Sequence, residues 1–534
     1  MDERETNTTR ARGSDRAAVL GSHAVGVIDV PGVPKLATGI PGFDHVTMGG
    51  LPRGRTTLVI GPAGSAKTVF AGQFLAEGIH RGQPGVFVTF EEPAADLRAN
   101  LATLGWDIPG WEERDLWRFI DASPVPGTEQ VEVGDYNFAG LVARVGHAVD
   151  QTAAERVVID SVGAVFGQFA DATLVRSQLH RLASELRRMG LTVVITAESA
   201  SPSSGALSRH GIEEFVADNV VILRNSLEDE KRRRTIEVLK LRGAMHRKGE
   251  YPFTVLPGQG VVVIPLSGMA LDQGSSDTRI TSGNAVLDEM TSGGFFRDSI
   301  VLASGATGTG KTLMVTEFMA AGCELDERCL FFAFEESRDQ IFRNARGWGR
   351  DFEAYERDGR LRLVATYPEV ASLEDHLVEI KNEIDEFQPQ RIAIDSLSAL
   401  ERIGTVKGFR EFIIGLTSFV KAQQVAALFT ATTGALLGGA SITEGHISTL
   451  TDAIVLLRYV EMFGEVRRGL TVLKMRGSKH DRDIREFLID GDGMHIGAPF
   501  RSVAGILTGQ VFNVADPSLL NANQMSPGQL NPGQ

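Results

Sequence analysis

The residues with the clearest chemical signature form a glycine-rich loop, Gly305-Ala-Thr-Gly-Thr-Gly-Lys311-Thr312. It follows an apolar run, 300–303, and opens a stretch with helical patterning, which is the context that favours nucleotide binding. Glycines let successive N–H groups turn towards phosphate oxygens, the lysine can reach the β- and γ-phosphates, and the threonine hydroxyl can bind Mg²⁺. The alternative is a glycine turn before a helix with a solvated lysine. The predicted nucleotide-binding residues here are Gly305, Thr307, Gly308, Thr309, Gly310, Lys311 and Thr312.

A similar loop occurs in the first half of the chain, Gly61-Pro-Ala-Gly-Ser-Ala-Lys67-Thr68. Ala66 stands where the last glycine of the pattern is expected. A methyl group there crowds the backbone if the residue needs an unusual φ and ψ, which would weaken or alter phosphate binding. Because the lysine and threonine remain, we interpret this loop as a nucleotide site too. Its predicted residues are Gly61, Gly64, Ser65, Ala66, Lys67 and Thr68.

Paired carboxylates follow each loop at the same distance. Glu91-Glu92 and Glu335-Glu336 begin 24 residues after the loop lysine in both halves. A phosphoryl-transfer site needs one carboxylate to orient or deprotonate the attacking oxygen and another near the metal. A single Glu-Glu pair is usually solvated surface, but two pairs at one offset predict catalytic residues.

Two aspartates end apolar strands further along each half. Asp160 and Asp395 both precede a serine, as an aspartate does when it holds the ligand shell of Mg²⁺. A strand-end aspartate that caps a turn is the alternative for either one alone. We predict that Thr68, Thr312 and Glu336 are the Mg²⁺ ligands of the chain.

Basic residues come last in each half: Arg234, Lys240 and Arg242, then Arg468, Lys474 and Arg476. Alternate side chains of a strand share one face, so a lysine and an arginine would project together. They could pair with surface acids, or they could act as fingers on a phosphate, supplied in ring ATPases by the neighbouring subunit.

The same motifs recur in the same order about 235 to 245 residues apart, a period that predicts two homologous domains in tandem. Short β-branched runs at 57–60, 86–90, 157–159 and 193–196 alternate with helical stretches such as 171–188. This alternation predicts an α/β fold with mainly parallel sheets covered on both faces. The predicted organisation is an extension at 1–30, domains at 31–263 and 279–500, a linker at 264–278, and a tail at 501–534.

Composition limits the classes of protein. The 534 residues are 43% hydrophobic with a net charge of −14, which is typical of a globular chain without bulk attraction to nucleic acid. Cys323 and Cys329 cannot build a disulfide framework. No run of 18 apolar residues and no signal-peptide core occurs, so we expect a cytoplasmic protein that makes no use of a membrane.

Longer stretches resemble the RecA-like ATPases, and among them the KaiC family of circadian clock proteins. The resemblance covers residues 33–500, and its most specific segments are KLRGAMHRKGEYPFTV (240–255), AIDSLSALER (393–402), HISTLTDAIVLLRYVE (446–461) and KMRGSKHDRDIREF (474–487).

The resemblance implies a double-ring homohexamer with ATP and Mg²⁺, whose second ring phosphorylates and dephosphorylates itself. It implies that one set of residues approaches a neighbour's nucleotide: Lys240, Arg242, His246 and Lys248 in the first ring, and Arg468, Lys474 and Arg476 in the second. It assigns adenine stacking to Trp348 and phosphorylation to Ser448 and Thr449. A KaiB-like partner is expected, whereas the tail after Arg501 argues against dependence on a KaiA-type activator.

The repeat itself bears on which ring is phosphorylated. Aligning Asp218 with Asp452 places Ser448 opposite Glu214 and Thr449 opposite Phe215. Only the second domain therefore has hydroxyl nucleophiles there, although a Ser-Thr pair often only makes turn hydrogen bonds. Two other functions stay open at this point: an ATP-binding scaffold with little turnover, and a DNA-dependent recombinase or helicase on the same fold.

Overall fold

The computed structural model describes residues 33–122, 138–163, 172–200, 216–228, 231–265, 274–433, 447, 449–462, 464–501, 503–506 and 512–513. Its helices and strands form two units of one design in succession, each built on a nine-stranded sheet. Six strands of each sheet are parallel neighbours, and helices connect them. The predicted fold class, two tandem α/β domains with mainly parallel sheets, is confirmed.

The first domain has strands β1 (Lys35–Leu36), β2 (Leu51–Pro52), β3 (Thr56–Gly61), β4 (Gly85–Thr89), β5 (Trp117–Asp121), β6 (Arg156–Asp160), β7 (Thr192–Glu198), β8 (Asn219–Glu228), β9 (Lys231–Leu241), β10 (Glu250–Leu256) and β11 (Gly260–Val263). Its helices are α1 (Phe43–Val46), α2 (Lys67–His80), α3 (Ala94–Ala102), α4 (Ile108–Glu113), α5 (Phe138–Thr152) and α6 (Ala172–Arg188). The large sheet has the order β11-β10-β9-β8-β3-β7-β6-β4-β5.

The second domain has strands β12 (Arg279–Ile280), β13 (Phe295–Phe296), β14 (Ile300–Gly305), β15 (Cys329–Ala333), β16 (Leu361–Ala365), β17 (Arg391–Asp395), β18 (Ala426–Thr432), β19 (Ala453–Met462), β20 (Glu465–Met475), β21 (Arg485–Asp490), β22 (Gly493–Pro499), β23 (Val503–Ala504) and β24 (Phe512–Asn513). Its helices are α7 (Ala285–Met290), α8 (Lys311–Glu324), α9 (Arg338–Gly347), α10 (Phe352–Arg357), α11 (Leu373–Phe387), α12 (Leu397–Glu401) and α13 (Val406–Ala422), with a 3₁₀ turn at Pro368–Val370. Its sheet order, β16-β15-β17-β18-β14-β19-β20-β21-β22, repeats that of the first domain.

The central strands β3 and β14 position the two glycine-rich loops. All six residues of each strand are buried, because helices cover both faces of a parallel sheet and leave no solvated side. Parallel strands bring their carboxyl ends to one edge, where α/β proteins bind ligands. In the part of the chain that the structure describes, no helix is long and apolar enough to cross a membrane.

The two domains contact each other through the end of the first sheet. Arg233 of β9 binds Glu374 at 3.1 Å and Glu411 at 2.7 Å, at the start of α11 and on α13. Val262 and Ile264 pack into the same apolar cluster as α11 and α13. Partly buried charge pairing and apolar contact therefore fix the second domain against the first.

Candidate functional site

The complete glycine-rich loop joins β14 to α8 at the carboxyl edge of the second sheet. Gly310 precedes the helix with φ 101°, in the left-handed region that favours glycine. Lys311 turns back, and its Nζ donates to Gly305 O and Ala306 O, both at 2.9 Å. Burial lowers the pKa of the Lys311 ammonium, while the carboxylate of Asp395 acts against this shift. The lysine thus lies inside the loop, where an incoming phosphate would meet it.

The loop of the first domain has the same shape despite its alanine. Ala66 has φ 68° and ψ 29°, so it adopts the left-handed backbone conformation in which a methyl group is unfavourable. Lys67 Nζ still donates to Gly61 O at 2.9 Å and to Pro62 O at 3.0 Å, as in the second loop. The weaker phosphate binding expected from Ala66 stays a prediction.

The space around these two positions explains why one tolerates a methyl group. A Cβ built on Gly310 would meet Ile489 Cδ1 at 2.9 Å. Val255 occupies the place of Ile489 in the first domain, because β10 and β21 have equivalent registers against β9 and β20. Valine lacks that δ-methyl group, and both Ala66 and Val255 pack against one apolar cluster. The shorter side chain thus leaves room for the alanine.

Both predicted strand-end aspartates lie beside their loops. Asp395 ends β17 and accepts a hydrogen bond from Thr312 Oγ1 at 2.7 Å and another from Thr430. Burial raises the pKa of the Asp395 carboxyl, and these two hydrogen bonds oppose the rise. In the first domain Asp160 ends β6 and accepts from Thr196. The second domain thereby brings together a threonine and an aspartate of the type that hold Mg²⁺ next to a nucleotide.

Mg²⁺ in the second domain would be held by Thr312, Asp395 and Glu336, and in the first by Thr68 with Asp160. Burial and the neighbouring Asp395 charge raise the pKa of Glu336, so a cation there would be favourable. Within the described ranges, no group of three or more His, Cys, Asp or Glu side chains could enclose a metal. Mg²⁺ at nucleotide sites in general takes most of its ligands from water and phosphate.

The first carboxylate of each acidic pair has a different partner in the two domains. Glu91 accepts a hydrogen bond from Ser161 Oγ at 2.7 Å. Glu335 instead forms an ion pair with Arg402 at 3.3 Å. Ser396, the counterpart of Ser161, has a buried Oγ without a hydrogen-bond partner among the described residues. One candidate base thus has a neutral partner and the other a cation.

The second carboxylate of each pair has the same partner in both domains. Asn100 donates to Glu92 at 3.4 Å, and Asn344 donates to Glu336 at 2.8 Å. These asparagines, Ser161 and Arg402 were not among the functional residues predicted from the sequence. The repeat carried a signal for the asparagines, because both stand eight residues after the last glutamate of the pair.

Two of the predicted basic residues lie beside the glycine-rich loop, hereafter the P-loop, of their own domain. Arg468 Nε donates to Gly308 O at 3.4 Å, and Arg234 Nε donates to Gly64 O at 3.2 Å. Both arginines occupy the same register on the hairpin next to the loop strand. This placement is within one chain, so it leaves the predicted role towards a neighbour as a prediction.

The other predicted basic residues, a lysine and an arginine in each domain, lie at the edge of the sheet opposite the P-loop. Lys474 donates to Thr451 O at 2.8 Å, and Arg476 donates to Thr449 O at 2.6 Å. Asp452, the residue after Thr451, accepts a hydrogen bond from the backbone N–H of Ile300 at the start of β14. The P-loop begins five residues later, about 16 Å away at 3.3 Å per residue. These cations cannot reach the phosphate site of their own domain.

Lys240 and Arg242 repeat this arrangement in the first domain. Lys240 donates to Ala217 O at 2.7 Å, and Arg242 forms a 3.5 Å ion pair with Asp218, at the start of β8. His246 and Lys248 follow on the next segment, and Lys248 O accepts from a tyrosine hydroxyl at 3.1 Å. Burial lowers the pKa of the His246 imidazole.

The remaining predicted residues are Trp348, Ser448 and Thr449. Trp348 ends α9 half-buried and packs against the core of the second domain. Thr449 is exposed before β19, at the same edge as Arg476. Ser448 lies outside the described residues.

Comparison with known proteins gives a consistent result over both domains. The sequence profile of the family described as "ATPase: KaiC" matches residues 36–268 and 280–500. The chain is 62% identical to the circadian clock protein KaiC3 of Synechocystis sp. over 90% of this chain and 95% of that protein. It is 50% identical to the circadian clock oscillator protein KaiC of Parathermosynechococcus lividus, over 91% and 90% of the two chains. The corresponding protein of Thermosynechococcus vestitus is 51% identical over 89% of this chain and 92% of that protein.

Proposed function

The chain belongs to the KaiC family of ATPases, and on that premise we propose that it hydrolyses ATP in both domains and phosphorylates its own Ser448 and Thr449. The observation that carries the proposal is the separation of charges in each domain. The P-loop lies at one edge of the sheet, while a lysine and an arginine lie about 16 Å away at the other. This separation supports the proposal that Lys474 and Arg476 of one chain approach the nucleotide of another chain.

This separation supports a closed ring in which ATP lies between subunits. A head-to-tail interface closes when the rotation between neighbours completes a circle, and the family implies six subunits. Removing the nucleotide would remove the charge that Lys474 and Arg476 of one chain meet on the next. A KaiB-like protein is the proposed partner, because the relatives are named as clock proteins.

Hydrolysis in the first domain would use Glu91 as the base. The carboxylate takes a proton from water while the water oxygen bonds to the γ-phosphorus and the bond to the ADP oxygen breaks. Ser161 fixes the orientation of Glu91 through its 2.7 Å hydrogen bond. Lys67 would neutralise part of the charge that develops on the phosphate oxygens, and Mg²⁺ held by Thr68 with Asp160 would supply further positive charge there.

Self-phosphorylation in the second domain would use Glu335 in the same role. Here the acceptor is the hydroxyl of Ser448 or Thr449 of the neighbouring chain. Its proton passes to Glu335 as the new O–P bond forms and the bond from the γ-phosphorus to the ADP oxygen breaks. Thr449 lies at the edge opposite its own P-loop, which supports transfer between chains rather than within one. The phosphate would add nearly two negative charges next to Arg476 and could alter the ring contact.

Mass spectrometry of the full chain after incubation with Mg·ATP tests the proposal. We expect phosphate on Ser448 and Thr449, and none in a Ser448→Ala/Thr449→Ala variant. A Glu335→Gln variant supplies the blank for slow turnover. Absence of phosphate in the wild type, with nucleotide still bound, would leave the ATP-binding scaffold as the better description. Phosphate mapped to residues 1–263 would contradict the assignment of rings.

A further inference from the structure

A tyrosine outside all the predicted sets contacts the P-loop of the second domain. Tyr459 OH donates to Thr307 O at 3.2 Å, two residues past the point where β19 stops pairing with β14. A Cβ built on Gly308 would meet the Tyr459 hydroxyl at 2.7 Å, so the phenol lies directly over this part of the loop. The hydroxyl therefore restrains the two loop residues whose neighbouring N–H groups would face a phosphate.

The same tyrosine also supports an arginine. Tyr459 and Arg468 are directly opposite in the β19–β20 register, so both side chains project from one face. The guanidinium carbon of Arg468 lies 5.8 Å from the centre of the Tyr459 ring, within range of a cation–π interaction. Arg468 in turn donates to Gly308 O at 3.4 Å. Tyrosine and arginine thus hold adjacent carbonyl groups of one loop.

The first domain has a weaker version of this arrangement. Asn225 is opposite Arg234 in the equivalent register, and its Nδ2 reaches Ala63 O only at 3.5 Å. Its Oδ1 is enclosed without a hydrogen-bond partner among the described residues. A carboxamide offers no ring face to the arginine beside it. The contact from the strand to the loop is accordingly shorter in the second domain than in the first.

We propose that Tyr459 is a positioning residue that pre-forms the second P-loop for nucleotide. By holding the carbonyl of Thr307 outward, the phenol keeps the adjacent N–H groups turned inward, which is the arrangement that binds phosphate. Because the contact is made whether or not the reaction proceeds, it lowers the KM and the nucleotide Kd without changing kcat. The inference rests on the proposed binding of ATP, but it does not require self-phosphorylation.

Nucleotide binding by the full chain tests this role. In a Lys67→Ala background, which silences the first loop, the Kd of a fluorescent ATP analogue with Mg²⁺ reports the second loop. Loss of one hydrogen bond in Tyr459→Phe should raise this Kd about two- to tenfold and leave kcat unchanged. Tyr367→Phe is the matched control, because Tyr367 is 72% exposed at the surface.

The first domain supplies the reciprocal measurement. Asn225→Ala in a Lys311→Ala background should change the Kd less than twofold, because the 3.5 Å contact is at the limit of a hydrogen bond. An unchanged Kd in Tyr459→Phe would overturn the inference, and so would a fall in kcat with an unchanged KM. Wild-type protein that bound no analogue would overturn the proposed function itself, a result distinct from either of these.

Discussion

Replacing Gly310 by alanine tests whether the two P-loops are fitted to different neighbours. An L-residue in a left-handed conformation costs about 1–2 kcal/mol, and φ at this position is 101°. The new Cβ would also meet Ile489 Cδ1 at 2.9 Å, and displacing this terminal methyl group adds to the backbone cost. We expect α8 to lose at least about 1 kcal/mol of local stability. Since about 1.4 kcal/mol corresponds to tenfold, amide hydrogen exchange in α8 should accelerate about fivefold or more.

A second substitution separates the clash from the backbone strain. Ile489→Val removes the blocking methyl group, so Gly310→Ala/Ile489→Val should retain only the strain, about 1–2 kcal/mol. Amide hydrogen exchange in α2, measured by mass spectrometry in the same sample, is the internal control. The reciprocal change, Val255→Ile, should create beside Ala66 the same clash that Gly310→Ala creates beside Ile489 in the second domain. The reasoning would be refuted if α8 of the double variant exchanged its amide hydrogens as fast as α8 of Gly310→Ala. It would also be refuted if the exchange rate in Gly310→Ala were within threefold of the wild-type rate.

Three further outcomes are expected. Glu317 on α8 is buried where the first domain has Gln73, and burial raises the pKa of its carboxyl. The stabilisation from the protonated form is complete below the unfolded pKa and is lost as pH rises through the folded pKa. Denaturant unfolding at pH 5 and pH 8 should therefore show a smaller loss of stability in Glu317→Gln than in wild type; equal losses would show that Glu317 is not the cause. Lys67→Ala should remove part of the ATP hydrolysis, and an unchanged rate and nucleotide content would confine turnover to the second domain. Light scattering should show that the assembly depends on Mg·ATP and that Arg476→Ala weakens it, whereas a constant monomer mass would contradict the ring.

The sequence allowed the repeat, the fold class and the order of the chemical motifs to be predicted, because each depends on residues close together in the chain. Gly305 to Thr312 form one loop whose glycines and lysine carry their meaning locally. The strand-end position of Asp395 likewise followed from the apolar run before it. Local patterning was sufficient for these features.

The partners of the motifs could not be predicted, because strand pairing between distant segments determines them. Arg468 reaches its own P-loop only through the register of β19 against β14 and β20. Ala66 fits because Val255, on a strand almost 190 residues later, is one methyl group shorter than Ile489. The different partners of Glu91 and Glu335 also depend on side-chain packing that no spacing in the sequence reveals.

Strand β9 places two consecutive arginines on opposite faces, and this constrains how the gene can vary. Arg233 faces the acidic residues of the second domain, whereas Arg234 faces the P-loop of its own domain. Inserting or deleting one residue in this strand would exchange the two faces and break both contacts at once. We therefore expect the length of this strand to vary less among related chains than the identity of its residues. The equivalent residue of the second domain, Arg467, instead pairs with Glu465 of its own strand and with Glu486 of β21. One of the two equivalent strands therefore joins the domains, whereas the other pairs the same charge within its own domain.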